Sequence, residues 1–352
     1  MSQFHSLSIS SIKKITDTSV AITFDVPSDL SNNFKFKAGQ YITLKTTING
    51  ENIRRDYSIC ASVDSSYLTV GVKAVDGGTF SVYANEKLAI GDTLEVAEPQ
   101  GRFVFEPHEQ NTRTIAAFAA GSGITPILSI TKTLLESEPF SNIILVYGNK
   151  TPQDTMFLKE LNELKEQHGN RIHLQLLYSQ TRENEALFGR IDKSIVNLIT
   201  KNKYKGVSIN TFYLCGPEPM IHTVKDTLLE NGVKDNQIKF ELFTASTDVE
   251  TTSLTDQLSG QSTLKVIVDE EEFTLDMSKE DTILDAALKQ DIDAPYSCQG
   301  GICSSCIARI TEGEAKMRQN NILTDNEVAE GLILTCQAQP ISSTLTVDYD
   351  DV

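Results

Sequence analysis

Four cysteines near the C-terminus have the spacing of an iron–sulfur centre. The chain reads Cys298-Gln-Gly-Gly-Ile-Cys303-Ser-Ser-Cys306, and Cys336 follows after 29 intervening residues. Four thiolates in a C-x4-C-x2-C…C frame bind a 2Fe–2S cluster. The two glycines inside this loop let the backbone wrap closely enough for N–H groups to donate to the sulfurs. The frame therefore predicts a centre that transfers electrons one at a time.

Two other metal centres fit the sequence less well. Structural zinc usually has its ligands in two short pairs, whereas here three cysteines fall within nine residues and the fourth is remote. A Rieske centre requires two histidine ligands, and the last histidine in the chain is His222. We therefore expect Cys298, Cys303, Cys306 and Cys336 to bind the iron ions.

A glycine-rich turn in the middle of the chain indicates a dinucleotide site. Gly121-Ser-Gly123-Ile-Thr-Pro126 follows the apolar run Ile115–Ala119 and opens a helix. Glycines at such a turn let a pyrophosphate approach the backbone, where helix N-terminal N–H groups bind its charge. Pro126 replaces the third glycine of the usual pattern and suits a first helical turn. A turn that is glycine-rich for packing alone would have the same sequence, so the string by itself leaves both interpretations open.

A second turn, Cys215-Gly-Pro-Glu-Pro-Met220, lies at the end of another expected strand. Ligands of a parallel sheet bind at the carboxyl ends of its strands, so we expect this turn at the same crevice. The alternative for Cys215 is a small buried apolar residue.

Two short strings in the N-terminal third can bind phosphate and planar rings. They are Arg55-Asp-Tyr57-Ser58 and Gly77-Gly-Thr-Phe-Ser81. An arginine pairs with phosphate, a tyrosine stacks on a ring, and a Gly-Gly turn with a serine hydroxyl can hold a diphosphate. A turn followed by a strand would look the same, so neither string decides the matter alone.

The elements expected around these residues fall into three groups. Short alternating segments over residues 7–105 predict an antiparallel β-barrel or sandwich, of which we expect the barrel. From Arg113 onward strands alternate with helices such as Thr155–Gln167, which predicts a parallel α/β sheet. A hairpin over Leu264–Leu275 and an amphipathic helix over Thr282–Lys289 precede the cysteine loop and predict a small α+β domain.

A chain of 352 residues has room for these domains. The segment Thr244–Thr263 is rich in Ser and Thr and poor in aliphatic residues, which is typical of an exposed linker. The expected boundaries are 1–107 for the barrel, 108–245 for the α/β domain, 246–262 for the linker and 263–352 for the cluster domain.

Composition and charge narrow the class of protein. The formal net charge of −17 disfavours nucleic acid as a partner. We expect a cytoplasmic protein, because the N-terminus lacks the basic start and apolar run of a signal peptide. The most apolar stretch, Ile115–Ile130, is too short to span a bilayer. In a reducing compartment cysteines serve as metal ligands or free thiols rather than disulfides.

The acidic excess is concentrated around the cysteine frame. Residues 263–352 contain 6 Lys and Arg against 18 Asp and Glu, a net charge of −12, whereas the residues before them carry −5. An acidic face can steer an electron-transfer partner into place. The alternative is that the charge only keeps the domain soluble.

The order of these motifs resembles the ferredoxin–NADP reductase superfamily over residues 5–245. R-x-Y-S, G-G-x-x-S, G-x-G-x-x-P and C-G-P-x-P-M occur in that order. The C-terminal frame resembles a plant-type ferredoxin, which implies a β-grasp fold. A reductase followed by a ferredoxin is the arrangement of oxygenase reductase components. Among these, the reductase subunits of phenylacetyl-CoA epoxidases resemble the chain in four further strings: Arg55–Cys60, Pro99–Phe103, Val146–Asn149 and Val347–Asp350.

The resemblance implies roles for individual residues. FAD would be bound by Arg55, Tyr57, Ser58, Val72, Lys73, Gly78 and Ser81. The nicotinamide dinucleotide would be bound by Gly121, Gly123, Thr125 and Pro126. Ser58, Cys215 and Glu241 would be the catalytic residues flanking the reacting rings. Phe243 stands where related reductases place a terminal aromatic over the flavin, although here the chain continues beyond it.

Two cations favour NADPH over NADH. Lys150 and Arg182 follow expected strands and can reach a ribose 2′-phosphate, and no acidic residue ends either strand to bind a ribose diol. Ordinary surface charge is the alternative for both.

Together these features predict an NAD(P)H-dependent oxidoreductase that binds FAD, a 2Fe–2S cluster and NADPH or NADH. It would convert a hydride into single electrons and deliver them to an oxygenase at its acidic ferredoxin domain, with phenylacetyl-CoA epoxidase the first expected acceptor. The alternative acceptor is another diiron or Rieske oxygenase or a desaturase. A redox-sensing binding protein is a third possibility, which the complete motif set disfavours.

Replacing one cluster ligand tests the electron path. Cys303→Ala is expected to abolish reduction of cytochrome c, because single electrons leave through the cluster. Reduction of ferricyanide by NADPH should persist, since it requires only the flavin. Both activities are measured by absorbance, and their simultaneous loss would contradict this path.

Overall fold

The structure, a computed structural model, describes residues 3–243 and 260–352. One compact unit comprises Phe4–Ile53 and Tyr57–Phe243, and the described residues from 260 onward form a second unit together with Arg54–Asp56. Most of the expected linker therefore lies outside the described residues. Among these residues, no helix has the length and apolar character needed to cross a membrane.

The first unit contains the barrel and the α/β sheet. Its strands are β1 (Phe4–Thr16), β2 (Ser19–Asp25), β3 (Tyr41–Ile48), β4 (Glu51–Ser58), β5 (Leu68–Lys73), β6 (Thr93–Ala97), β7 (Thr114–Ala120), β8 (Asn142–Asn149), β9 (Ile172–Tyr178), β10 (Leu187–Phe188), β11 (Ile209–Gly216) and β12 (Ile238–Leu242). Its α-helices are α1 (Thr79–Glu86), α2 (Ile124–Ser137), α3 (Leu158–His168), α4 (Lys193–Asn197) and α5 (Glu218–Glu230).

The six barrel strands form one antiparallel sheet in the order β4-β3-β6-β1-β2-β5. An antiparallel bridge between Ile59 and Val70 connects the end of β4 to β5, the strand at the other edge of the sheet. Alternate residues of β2, such as Val20, Ile22 and Phe24, point into the barrel core. This period-two burial is what the alternating segments predicted.

The second sheet of this unit is parallel, in the order β10-β9-β8-β7-β11-β12. Its central strand β7 is buried from Ile115 to Ala119, as expected for a strand covered on both faces. The prediction of a parallel α/β sheet is confirmed.

Helix α2 joins the two halves of the unit. The Ser129 hydroxyl donates to the carbonyl of Ala61 at 2.6 Å, and Lys132 Nζ donates to the carbonyl of Cys60 at 2.9 Å. The barrel residue Phe103 also packs in the same apolar cluster as the sheet. The barrel, which has a core of its own, therefore also contributes side chains to the core of the sheet.

A buried ion pair holds the C-terminal end of α2. Glu138 is completely buried and accepts from Arg113 Nε at 3.0 Å and Nη2 at 2.6 Å. Burial raises the pKa of the Glu138 carboxyl, but hydrogen bonds from Arg113, Ser141, Asn111 and the His108 N–H hold it below its ordinary value of 4.5. The carboxylate is thus ionised and fully paired.

The second unit is a small mixed domain. It contains β13 (Gln261–Val268), β14 (Glu271–Ser278), β15 (Ile307–Glu312), β16 (Ala315–Met317), β17 (Leu332–Leu334), β18 (Ala338–Pro340), β19 (Thr344–Asp348), α6 (Ile283–Lys289) and α7 (Asp325–Ala329). Five strands form a sheet in the order β14-β13-β19-β15-β17, in which only the β13–β19 pair is parallel. Thr282 caps α6 by accepting from the Asp285 N–H.

Several element boundaries differ from the sequence expectation. Strand β13 begins at Gln261, inside the expected linker. Helix α3 begins at Leu158 rather than Thr155, because Phe157 has a left-handed backbone with φ 58°. The Gly77-Gly78 turn leads into helix α1, so the alternative of a turn followed by a strand does not hold at this string.

The buried ion pair predicts a specific stability loss. Arg113→Met should destabilise the first unit by about 3 kcal/mol, because it leaves the Glu138 charge buried without its partner. Denaturant unfolding measures this, and Lys37→Met, which breaks the exposed Lys37–Glu106 pair, is the control expected to change little.

The same pair gives a pH dependence. The folded pKa of Glu138 lies below its unfolded value. Its contribution is therefore complete above the ordinary pKa of 4.5 and is lost as the pH falls through the lower folded value. If the wild type and Arg113→Met had the same free energy of unfolding at neutral pH, this account would be contradicted.

Candidate functional site

The four cysteines of the C-terminal frame form two pairs. The Cys303 thiol donates to Cys298, which lowers the pKa of Cys298 to about 6 with help from nearby backbone N–H groups. In the same way the Cys306 thiol donates to Cys336 and lowers the pKa of Cys336. The pKa values of the donors Cys303 and Cys306 are raised in turn. Within residues 3–243 and 260–352, no three His, Cys, Asp or Glu side chains gather as a site for a single ion.

Backbone and amide donors surround these sulfurs. The Gly300 N–H donates to Cys298 Sγ at 3.3 Å, and Gln337 Nε2 donates to Cys336 Sγ at 3.7 Å. Gly301 has φ 68°, so the loop can fold back on itself. Two thiol pairs with N–H donors suit a cluster of two irons that takes two thiolates on each iron, so the residues fit a 2Fe–2S group.

The glycine-rich turn lies against the end of β11. A Cβ atom at Gly123 would lie 2.2 Å from the carbonyl oxygen of Cys215, so only glycine permits this approach. A Cβ atom at Gly121 would meet nothing within 4 Å, which leaves open space above the turn. Thr125 and Pro126 are buried in the first turn of α2. The turn thus combines a close backbone contact with the open space that a dinucleotide needs.

Three predicted catalytic residues meet where the barrel adjoins the sheet. The hydroxyl of Ser58, at the end of β4, donates to Glu241 Oε2 at 3.3 Å. Cys215 is the register partner of Glu241 in the neighbouring strand and is completely buried. Burial, and then the charge of Glu241, raise the pKa of Cys215 well above its ordinary value, so the thiol is neutral. Phe243, just after β12, packs against the shared core.

Three of the predicted flavin residues lie around the start of α1: Tyr57, Gly78 and Ser81. The rings of Tyr57 and Phe80 lie 5.4 Å apart. The Ser81 hydroxyl accepts from the Val75 N–H at 3.1 Å. Helix α1 has no side-chain cap at Gly78, so its first N–H groups remain available for an anion. This donor set fits a diphosphate.

The other predicted flavin residues differ in exposure. Val72 is completely buried in the barrel core, so only its backbone can face a cofactor. Lys73 is half-buried at the end of β5. Arg55 is exposed and donates to the carbonyl of Arg54 at 2.7 Å.

The two cations proposed for NADPH lie on adjoining segments. Lys150 follows β8 and Arg182 follows β9, and both are exposed. The Gln180 N–H donates to the Lys150 carbonyl at 3.0 Å, which holds the two segments together. Arg182 lies over the ring of Phe188 at 4.2 Å.

Sequence reasoning missed several residues at this site. Tyr147 donates its hydroxyl to the Gly121 carbonyl at 2.9 Å and so braces the turn from below. Gly71 and Phe157 pack against each other between the barrel and the sheet. Tyr147 and Gly71 lie within apolar strands and Phe157 directly precedes α3. A sequence pattern of this kind does not identify the contacts of a residue.

Comparison with known proteins agrees with this geometry. An oxidoreductase FAD-binding domain matches residues 6–105, an oxidoreductase NAD-binding domain matches 118–226, and a 2Fe-2S iron-sulfur cluster binding domain matches 266–340. The chain is 38% identical to a component of the 1,2-phenylacetyl-CoA epoxidase of Escherichia coli (strain K12), over 99% of each chain. It is 29% identical to the ferredoxin reductase component of 3-ketosteroid-9-alpha-monooxygenase from Rhodococcus rhodochrous, over 97% of this chain and 96% of the relative.

A solved structure has the same fold. Phthalate dioxygenase reductase superposes with a TM-score of 0.61 at 24% identity, covering 98% of both chains. The chain belongs to the family of FAD- and 2Fe–2S-containing reductases that includes the epoxidase component. It is an NAD(P)H oxidoreductase with FAD, pyridine-nucleotide and 2Fe–2S domains, and it delivers electrons to an oxygenase partner. The expected fold class and enzyme class are thereby confirmed.

Proposed function

We propose that this chain is the NADPH-dependent reductase component of a phenylacetyl-CoA epoxidase. The observation that carries the proposal is the 38% identity with the Escherichia coli component over 99% of each chain. The lower identity of 29% to a 3-ketosteroid monooxygenase reductase makes a different oxygenase the second candidate. We infer a cytoplasmic location, where reduced cysteines are available as cluster ligands.

We assign the cofactor sites as the sequence predicted them. FAD is bound by Arg55, Tyr57, Ser58, Val72, Lys73, Gly78 and Ser81, and the nucleotide by Gly121, Gly123, Thr125 and Pro126. The iron ligands are Cys298, Cys303, Cys306 and Cys336. When bound, FAD takes up a hydride from the nicotinamide and supplies the single electrons that the cluster passes outward. Phe243, just after β12, packs against the shared core and would stand over the flavin.

The residues where barrel and sheet meet orient the reaction and exclude water. Glu241 accepts the hydroxyl proton of Ser58 in a hydrogen bond, which fixes the end of β4 relative to β12. Cys215 is buried and neutral, so it lines the site with a small apolar side chain that carries no charge. Hydride transfer depends on such positioning rather than on a proton shuttle.

We assign the 2′-phosphate of NADPH to Lys150 and Arg182. Their segments adjoin at the carboxyl edge of β8 and β9, where a nucleotide ribose lies in parallel sheets. A guanidinium can bind phosphate with two N–H groups, and an ammonium adds a point charge.

Removing both cations should switch the preference between nucleotides. Lys150→Ala with Arg182→Ala is expected to raise the KM for NADPH roughly tenfold or more, because hydrogen bonds between charged groups are lost. The KM for NADH should stay the same. Initial rates with both nucleotides measure this, and Lys159→Ala on the exposed face of α3 is the matched control. Equal effects on NADPH and NADH would contradict the assignment.

We infer that the oxygenase docks on the acidic surface beside the cluster. The segment before α7 touches the cysteine loop, because the Asn321 N–H donates to the Gly301 carbonyl at 3.3 Å. Asp325 in α7 and Glu330 just after it are exposed. Both carboxylates belong to the segment that follows this contact with the cysteine loop, and we assign the docking surface to it.

Neutralising this surface should weaken docking without affecting internal chemistry. Asp325→Asn with Glu330→Gln is expected to raise the KM for the oxygenase up to about tenfold, since electrostatic steering is lost. The measurement is phenylacetyl-CoA epoxidation with purified oxygenase components over a range of salt concentrations. Ferricyanide reduction should be unchanged.

The control for this experiment lies at the turn of the β13–β14 hairpin. Glu270→Gln with Glu271→Gln removes the same charge from two exposed positions, one in the turn after β13 and one at the start of β14. Equal loss in both double variants would mean that only net charge matters and would exclude α7 as the docking site. Failure of the wild type to support any epoxidation would favour the second candidate acceptor.

A further inference from the structure

Gly71 leaves a slot in the wall of the barrel. It lies in β5, directly before Val72 and Lys73. A Cβ atom at this position would lie 2.8 Å from Thr125 Cγ2 and 3.0 Å from Phe157 Cε2. Both of these side chains come from the nucleotide-binding half. The missing side chain of Gly71 is therefore what lets the two halves approach at this point.

Phe157 occupies the slot at a conformational cost. Its backbone is left-handed, with φ 58° and ψ 21°, which a bulky aromatic residue rarely adopts. Its side chain is nevertheless buried, with 7% of its surface exposed. Strain of this kind persists only where surrounding packing enforces it, and it concentrates at functional sites. Phe157 is therefore held in place by the slot and not by its own backbone preference.

The slot is connected to the glycine-rich turn by two hydrogen bonds. The Thr125 hydroxyl donates to the Ser122 carbonyl at 3.0 Å, so the methyl group that faces Gly71 is fixed to the turn. The Tyr147 hydroxyl lies 2.9 Å from the Gly121 carbonyl and 3.4 Å from that of Met156, the neighbour of Phe157. Displacement of Phe157 would therefore displace the turn.

We propose that Phe157, seated in the slot left by Gly71, is a positioning residue that sets the distance between the flavin strand β5 and the nucleotide turn. The inference rests on the proposed function, because it uses the assigned FAD and nucleotide residues. Hydride transfer requires the reacting atoms at near contact, and a displacement of about 1 Å can cost about 100-fold in rate. A wedge that fixes this distance thus controls the chemical step without touching either cofactor.

The test is the rate at which NADPH bleaches the flavin in anaerobic stopped flow with the FAD- and cluster-loaded chain. Gly71→Ala should lower this rate about 10- to 100-fold, while KM for NADPH and FAD content stay unchanged. Phe157→Leu should lower it as well, because the wedge is smaller. In Gly71→Ala with Phe157→Leu the losses should be less than multiplicative, since the smaller residue relieves the contact of the new methyl group with the ring and leaves only its contact with Thr125.

A buried glycine in the neighbouring sheet is the matched control. At Gly148 in β8 a Cβ atom would meet Ile191 at 3.4 Å, an ordinary contact. Gly148→Ala should bleach at the wild-type rate. If Gly71→Ala does not retain FAD, the bleaching rate of Phe157→Leu is the measurement that tests the proposal.

The possible failures are distinguishable. A wild-type flavin that NADPH does not reduce overturns the proposed function. A reducible wild type with unchanged bleaching rates in both single variants overturns only the wedge. Rate losses that multiply in the double variant also overturn it, because they would show that the two residues act independently.

Discussion

The rest of the structure depends on the contact between the barrel and the parallel sheet, which the hydrogen bond between Ser58 and Glu241 joins. Ser58 ends a barrel strand and Glu241 lies in a strand of the parallel sheet, yet their oxygens are 3.3 Å apart. Such a contact forms only if the barrel and sheet are held at one fixed spacing. The shared apolar core and the hydrogen bonds from α2 to the barrel carbonyls hold it. The proposed hydride-transfer site is therefore a product of packing between the barrel and the sheet.

Glycine sets the spacing at this junction from both sides. Gly123 brings the nucleotide turn against the carbonyl of Cys215, and Gly71 admits Phe157 and Thr125 into the barrel wall. A methyl group at either position would need space that the backbone or a packed ring already occupies. The open space above Gly121 lies beside these contacts, so tight packing and an accessible binding surface occur within a few residues of each other.

Much of this arrangement could be predicted from the sequence, because local patterns report local physics. The spacing of the four cysteines predicted the cluster ligands. The two-residue alternation of apolar residues predicted the barrel, and the alternation of strands with helices predicted the parallel sheet. The predicted start of α3 was wrong, because no sequence pattern indicates the left-handed backbone of Phe157. The partners of Gly71 and Glu241 were also invisible, since burial periodicity shows that a residue is inside but not which distant residue it meets. The register between Cys215 and Glu241 arises only when two parallel strands pair.

In the proposed function, the residues of the barrel–sheet junction would hold the nicotinamide against the flavin for hydride transfer, and electrons would reach the cluster only afterwards. Stopped-flow absorbance with NADPH and with NADPH deuterated at C4 tests this most directly. The predicted result is a primary isotope effect on flavin bleaching, followed by cluster reduction that never precedes it. Cluster reduction that is faster than flavin bleaching, or bleaching without an isotope effect under single-turnover conditions, would contradict this order of events.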